Sequence, residues 1–166
     1  MDKSGAIEAV NVYVDNKLAA EDCTVSLPGI EFLTTEVKAM GNLTLPMLAA
    51  LDDIETKITK IGIDKNVGVL TAPGNKKLEY RWVHDKVKAD GSVAPEGCKA
   101  FFTAVPTTLA PSVDLEIGSA EEAEITYKVT RYRLVVNGKE ILLVDRLAHK
   151  LVVNGKDYTA KFNTML

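Results

Sequence analysis

Apolar and polar residues alternate with period two along much of the chain, the spacing of strands that bury one face. Val10–Asp15 (VNVYVD) alternates in this way, and an Asn16-Lys17 turn follows it. Asp53–Ile61 (DIETKITKI) is clearer, with Ile54, Thr56 and Ile58 on one face and Asp53, Glu55, Lys57 and Thr59 on the other. Leu78–Val87 alternates loosely, Ala100–Val105 is an apolar strand, and Val113–Ile117 (VDLEI) alternates again. Ile125–Val136 predicts a long strand running into a hairpin. Between these lie a Pro28-Gly29 bend inside an extended stretch, a loop over Ala89–Gly97, and an acidic turn at Gly118–Glu124. Asp64–Thr71 predicts one short helix capped by Asp64 or Asn66 and weakened by Gly68. Met40–Ala50 (MGNLTLPMLAA) follows neither period, which predicts a long apolar loop of a kind that a monomer rarely leaves in water.

One phrase is written twice: RLVVNGKE at Arg133–Glu140 and KLVVNGKD at Lys150–Asp157. A two-residue type I′ turn needs positive φ at both central positions, and Asn followed by Gly meets that need best. Asn137-Gly138 and Asn154-Gly155 are therefore structural turns between strands. Around the first, Val136 is expected to face Lys139, Leu134 to face Ile141 and Tyr132 to face Leu143. Around the second, Val153 faces Lys156 and Leu151 faces Tyr158. A two-copy echo this short is the same turn used twice, since repeat folds need longer and more numerous units. Strands separated by turn signals make the fold class mainly β, an antiparallel β-sandwich or barrel with one short helix.

The 166 residues, 46% hydrophobic and 26% charged, fit a single globular domain spanning 1–166. No apolar run reaches the roughly 18–20 residues that span a bilayer, so no membrane anchor is expected. The opening MDKSGAIEAV lacks the basic end and apolar stretch of a signal peptide, which points to synthesis in a cytoplasm. Cys23 and Cys98 show no CxxC spacing and read as buried, reduced thiols. Charge is uneven: residues 1–127 hold 12 Lys/Arg against 20 Asp/Glu (−8), whereas 128–166 hold 8 against 3 (+5). The basic end either folds back onto the acidic part of its own chain or registers one copy on the next. Nucleic-acid grip ranks last, because the basic residues are not interleaved with a stacking platform.

Enzyme signatures are missing. His84 and His149 lie far apart with no ligand-like spacing, and there is no phosphate loop or nucleophile elbow. Asp52-Asp53 with Asp64 matches no cation loop, and Trp82 reads as a partly buried strand residue rather than a sugar platform. No catalytic, cofactor or metal residue is assigned from the sequence. What stands out is unmet surface: an apolar segment, a hairpin apolar on both faces, and strand edges that ask for partner protein.

The order of segments carries a resemblance. NVYVDNKLAAEDCTVSLPGIEFLTTEVKAMGN, followed by DDIETKITKIG, resembles the start of major tail tube proteins of contractile-tailed phages and phage tail-like bacteriocins. YKVTRYRLVVNGKEILLVDRLAHKLVVNGKDY is similar to that family's closing pattern of strand, Asn-Gly turn, acid-bearing strand (here Asp145) and second turn. The likeness covers residues 8–63 and 126–158; residues 64–125 match poorly.

The resemblance implies a structural subunit forming hexameric rings that stack into a hollow tube, with strands of neighbouring copies joining one continuous inner barrel. Met40–Ala50 would then be a protruding inter-ring loop, with Met40, Leu43, Leu45, Met47 and Leu48 as its contacts. Thr34, Glu36, Lys38, Asp53, Glu55, Lys57 and Thr59 are candidates for the lumen face. Acids there would repel DNA phosphates and let a genome slide, DNA being cargo only if the particle is a phage. Implied partners are further copies of the chain, a sheath protein outside, a tape-measure protein inside, and baseplate and tail-terminator proteins at the ends. The protein would be made in the bacterial host cytoplasm and reside in a virion tail or tail-like particle. The alternatives are a type VI secretion-like tube protein and a monomeric ligand-binding β-sandwich.

Overall fold

The computed structural model describes residues 1–166. Twelve strands and two short helices follow in order: β1 (Lys3–Val14), β2 (Lys17–Glu21), β3 (Thr24–Ser26), β4 (Phe32–Lys38), β5 (Asn42–Leu51), β6 (Glu55–Ile61), α1 (Lys65–Thr71), β7 (Lys76–Val87), β8 (Val93–Pro106), β9 (Glu122–Val136), β10 (Lys139–Asp145), β11 (Lys150–Val153), β12 (Lys156–Asp157) and α2 (Ala160–Asn163). All pairings are antiparallel, which suits turns short enough to read in the sequence. No helix is long and apolar enough to cross a membrane.

Strand β9 organises the molecule. One edge pairs with β8. The other pairs first with β6, from Glu122 to Lys128, and then with β10, from Arg131 to Val136. At the changeover the Val129 N–H donates to Ile54 O (2.9 Å) and the Arg146 N–H donates to Thr130 O (3.0 Å), so neither partner leaves a gap. A strand that changes partners turns a corner between two layers. The path β12-β11-β10-β9-β8-β7-β1-β2 thus curls round, with β3 and β6 branching from β9 across the core. Helix α1 packs against β2 and β9 and seals one end. Asp64 caps it by accepting from Asn66 N–H (2.8 Å). Lys60, largely buried, donates to Asp64 Oδ2 (3.1 Å) and holds that carboxyl below its usual range.

The inward faces of β1, β6, β7, β8, β9 and β10 fill the interior, as their alternation requires. Tyr80, Phe102 and Tyr132 form an aromatic row with centroids 4.7 and 4.8 Å apart. Tyr80 and Thr56 hydroxyls share a bond (2.8 Å), and Thr56 donates to Ser26 O (2.6 Å). Tyr127 donates to Leu70 O (2.6 Å) at the helix end. Burial raises all three tyrosines, Tyr132 up to about 12. Cys23 and Cys98 are buried and free.

Both Asn-Gly turns form with the positive φ pairs they require, 49° and 77° at Asn137-Gly138 and 50° and 82° at Asn154-Gly155. Val136 faces Lys139 and Val153 faces Lys156 as expected. Beyond the first turn the register departs: a bulge between Glu140 and Leu142 puts Leu142 opposite Leu134 and Val144 opposite Tyr132. The extra residue turns Val144 into the core beside the aromatic row. An added Cβ at Gly138 meets nothing within 4 Å, so the cost of Gly138→Val is chiefly backbone strain at φ 77°. We expect about 1–3 kcal/mol from such strain, read as a lower denaturation midpoint in a protein that still folds.

Several expectations are corrected. Met40–Ala50 is not a loop: Met40-Gly41 is the turn of a hairpin, and Asn42–Leu51 is strand β5 paired with β4. Its apolar residues hid the strand because Pro46 and Gly41 interrupt the alternation. There are two helices rather than one, α2 being a single turn near the C-terminus. Ala89–Gly97 is a loop only around Asp90-Gly91, since Val93–Gly97 pairs with Val83–Val87. Pro95 is tolerated because β8 pairs with β9 only from Cys98 onward, leaving it on an edge. The first turn falls at Asp15-Asn16, one residue early. Val113–Ile117 finds no pairing partner and stays irregular, with Leu115 and Ile117 exposed.

Candidate assembly surface

The β4–β5 hairpin stands apart as its own two-stranded sheet, and every residue from Phe32 to Ala49 is exposed. Register explains its character. Val37 pairs with Leu43 and Thr35 with Leu45, so with Leu33 two steps away these residues share one face. Thr34–Pro46, Glu36–Thr44 and Lys38–Asn42 form the other. The hairpin is therefore amphipathic, apolar on one side and polar on the other, with no layer against the apolar side. An isolated two-stranded hairpin is marginal in water, and this one is supported only at its base. Met40 sits fully exposed at the tip.

The hairpin is tied to the body at its base. Arg146 donates to Leu51 O (3.0 Å) and Asp52 O (3.4 Å), and Asp52 N–H donates to Glu31 O (2.9 Å). Leu33 and Leu48 run on into a groove of about 340 Å³ shared with Leu51, Val144, Leu151 and Phe162. The apolar face is thus continuous with a cleft rimmed by Arg146, His149 and Lys150.

The lumen candidates fall into two groups. Thr34, Glu36 and Lys38 occupy the polar side of the hairpin. Glu55, Lys57 and Thr59 lie on the outer face of β6, with Asp53 just before it. The expectation for these faces is a surface carrying acids, tempered by Lys38 and Lys57; the acids do not stand alone. Instead Glu55 and Asp53 lie 3.2 and 3.9 Å from Lys128, Asp53 lies 3.8 Å from Arg146, and Glu124 lies 3.7 Å from Lys57. On the β6 side these acids are therefore paired with cations of the same chain. The same contacts show that the basic C-terminal third folds back, in part, onto the acidic remainder of the chain.

Three contributors are not apparent in the sequence. Val37 joins the apolar face through its pairing with Leu43, and Leu33 follows by the strand's period of two. Arg146 is an ordinary basic residue in the sequence, and only the fold brings it to the hairpin base.

An amphipathic hairpin projecting from a curled antiparallel sheet, with open edges and an uncovered apolar face, defines a subunit built to be completed by other protein. The class is a self-assembling structural β protein. The sequence profile of the phage tail tube protein FII family matches residues 5–166, and the chain belongs to that family. It is a tail tube subunit. The fold is similar to a chain of the sheath-tube complex of an extracellular contractile injection system, PVC, in the extended state. That match has TM-score 0.54 and 16% identity, covering 79% of this chain and 90% of that one. A chain of the PVC sheath/tube terminator in the extended state matches with TM-score 0.51 and 16% identity, covering 76% and 92%. No curated protein sequence matches.

Proposed function

We propose that the protein forms the inner tube of a contractile tail, of a phage or of a phage tail-like bacteriocin, as hexameric rings stacked into a hollow conduit. The uncovered apolar face of the β4–β5 hairpin carries this reading. In a stack it lies against the neighbouring ring, with Met40, Leu43, Leu45, Met47 and Leu48 contributing and Leu33 and Val37 beside them. Open strand edges at β3 and in the hairpin pair with adjacent copies, so that the ring closes into one barrel and no edge faces water. Thr34, Glu36, Lys38, Asp53, Glu55, Lys57 and Thr59 face the lumen. A wall of mutually paired charges offers phosphates or other cargo no net cation to hold them.

The sheath-tube and terminator assemblies of the structural neighbours support a sheath outside the tube and a terminator at its end. A tape-measure protein inside and a baseplate at the other end complete the particle, which is made in the bacterial host cytoplasm. Electron microscopy of the purified protein at high concentration tests the reading. Rings or hollow filaments are expected, and a persistently monomeric species with affinity for glycans would overturn it in favour of a ligand-binding sandwich. Filaments that assemble only with an effector cargo would instead favour a type VI-like tube.

A further inference from the structure

We propose that His84, Glu96 and Cys98 form a binding site for a divalent transition-metal ion of the zinc class, independent of tube assembly. His84 and Glu96 are direct cross-strand partners in the β7–β8 register, and Cys98 lies two residues beyond Glu96. A period of two places all three side chains on one face of the sheet.

His84 Nε2 lies 3.3 Å from Glu96 Oε1, and His84 Nδ1 lies 3.8 Å from Cys98 Sγ. One ligand atom from each residue falls within 4.8 Å of the others. Around a tetrahedral ion with bonds of about 2.0–2.3 Å, neighbouring ligand atoms stand about 3.4–3.6 Å apart. The imidazole–carboxylate separation already matches, and the ligand atoms, all within 4.8 Å of one another, need a turn of the imidazole and at most about an ångström of further approach. Without an ion the imidazole bridges its two neighbours through different nitrogens; with one it presents a single nitrogen beside the sulfur and the carboxylate.

The surroundings suit a bound cation. The side chains of His84 and Glu96 are only 15% and 10% exposed, and Cys98 is 3% exposed. Lys86 Nζ holds the other carboxylate oxygen, Oε2, at 3.1 Å and leaves Oε1 free to ligate. A carboxylate and a thiolate neutralise a divalent charge, while Lys86 keeps Asp2 at 3.9 Å as a second anion. Burial keeps the Cys98 thiol above its usual range, so the ion must displace the thiol proton to solvent. Cys23, by contrast, donates to the Val10 carbonyl (3.8 Å) and has no imidazole or carboxylate hydrogen-bonded to it. Imidazole, thiolate and carboxylate together are a zinc-type donor set, and three protein ligands leave a fourth position open. The site lies where β7 and β8 leave the core towards the exposed three-stranded end shared with β1, so a bound ion staples the base of that projection.

The spacing H-x11-E-x-C matches no metal motif, which is why the sequence shows no such site; strand pairing alone assembles it. Trp82, the only tryptophan, is paired with Cys98 and reports on the site. Cobalt(II) titrated into the full chain should produce thiolate charge-transfer absorption and quench Trp82 fluorescence, both saturating at one equivalent and reversed by zinc. Cys98→Ser should lose the absorption and His84→Gln should weaken binding at least tenfold, while Cys23→Ser retains both signals. X-ray absorption of the zinc-loaded wild type, which needs no variant, should show one sulfur in a mixed shell. No absorption in the wild type, absorption surviving Cys98→Ser, or a shell of nitrogen and oxygen alone would overturn the proposal.

Discussion

Leu45→Asp is expected to leave the subunit folded and to stop it polymerising. Leu45 lies on the apolar face of the hairpin, opposite Thr35, and is 40% exposed, far from the core cluster. A carboxylate there meets water in the monomer and costs little. Inside the proposed apolar inter-ring contact it would be unpaired, a penalty of several kcal/mol for each copy. In such a stack every ring would repeat the defect, and the loss would accumulate along the tube. Thermal unfolding by circular dichroism should be nearly unchanged, while sedimentation velocity and negative-stain images show no filaments. Thr44→Asp, one residue away on the polar face, is the matched control and should assemble. Normal filaments from Leu45→Asp would remove this face from the interface, and loss in both variants would show that any charge on the hairpin is disruptive.

Phe102→Ala should have the largest effect on the subunit itself. Phe102 sits between Tyr80 and Tyr132 and is 3% exposed. Truncating a buried phenylalanine costs about 3–5 kcal/mol, from lost transfer energy and the cavity left behind. Domains of this kind hold only about 5–15 kcal/mol in all, so the variant will be near its limit at physiological temperature. Phe101, its neighbour on the outer face, stacks beneath Arg133 at 5.4 Å and is only half-buried. Its loss should cost about 1 kcal/mol or less. Urea denaturation of unassembled protein separates the two; equal losses would mean that the β8 alternation has been assigned to the wrong faces.

Much of this architecture is legible locally, and the reasons differ by element. Strand β6 is readable because one of its faces is buried and the other wet, so burial itself writes the alternation Ile54, Thr56, Ile58. The Asn-Gly turns are readable because positive φ at two consecutive positions admits few residue pairs. Helix α1 is readable from Asp64, whose side chain competes for the first free N–H. β5 is harder, because its apolar face is never covered within one chain and the core imposes no pattern on it. β8 is harder still, because Pro95 and the Gly-Ser turn before it resemble a loop until β7 is laid alongside.

Alone, the sequence determined the strands with one wet face, the tight turns, the capped helix and a surplus of apolar residues at 40–50, because each depends on neighbours a few positions away. Only the tertiary structure decided that those residues form one side of a hairpin, that β9 serves two partners on a single edge, and that Lys128 and Arg146 cancel the acids of β6. It likewise joined His84 to Cys98. These are matters of register between segments distant in the chain, where a bulge such as that before Leu142 reassigns every partner beyond it, and no local pattern records such a choice.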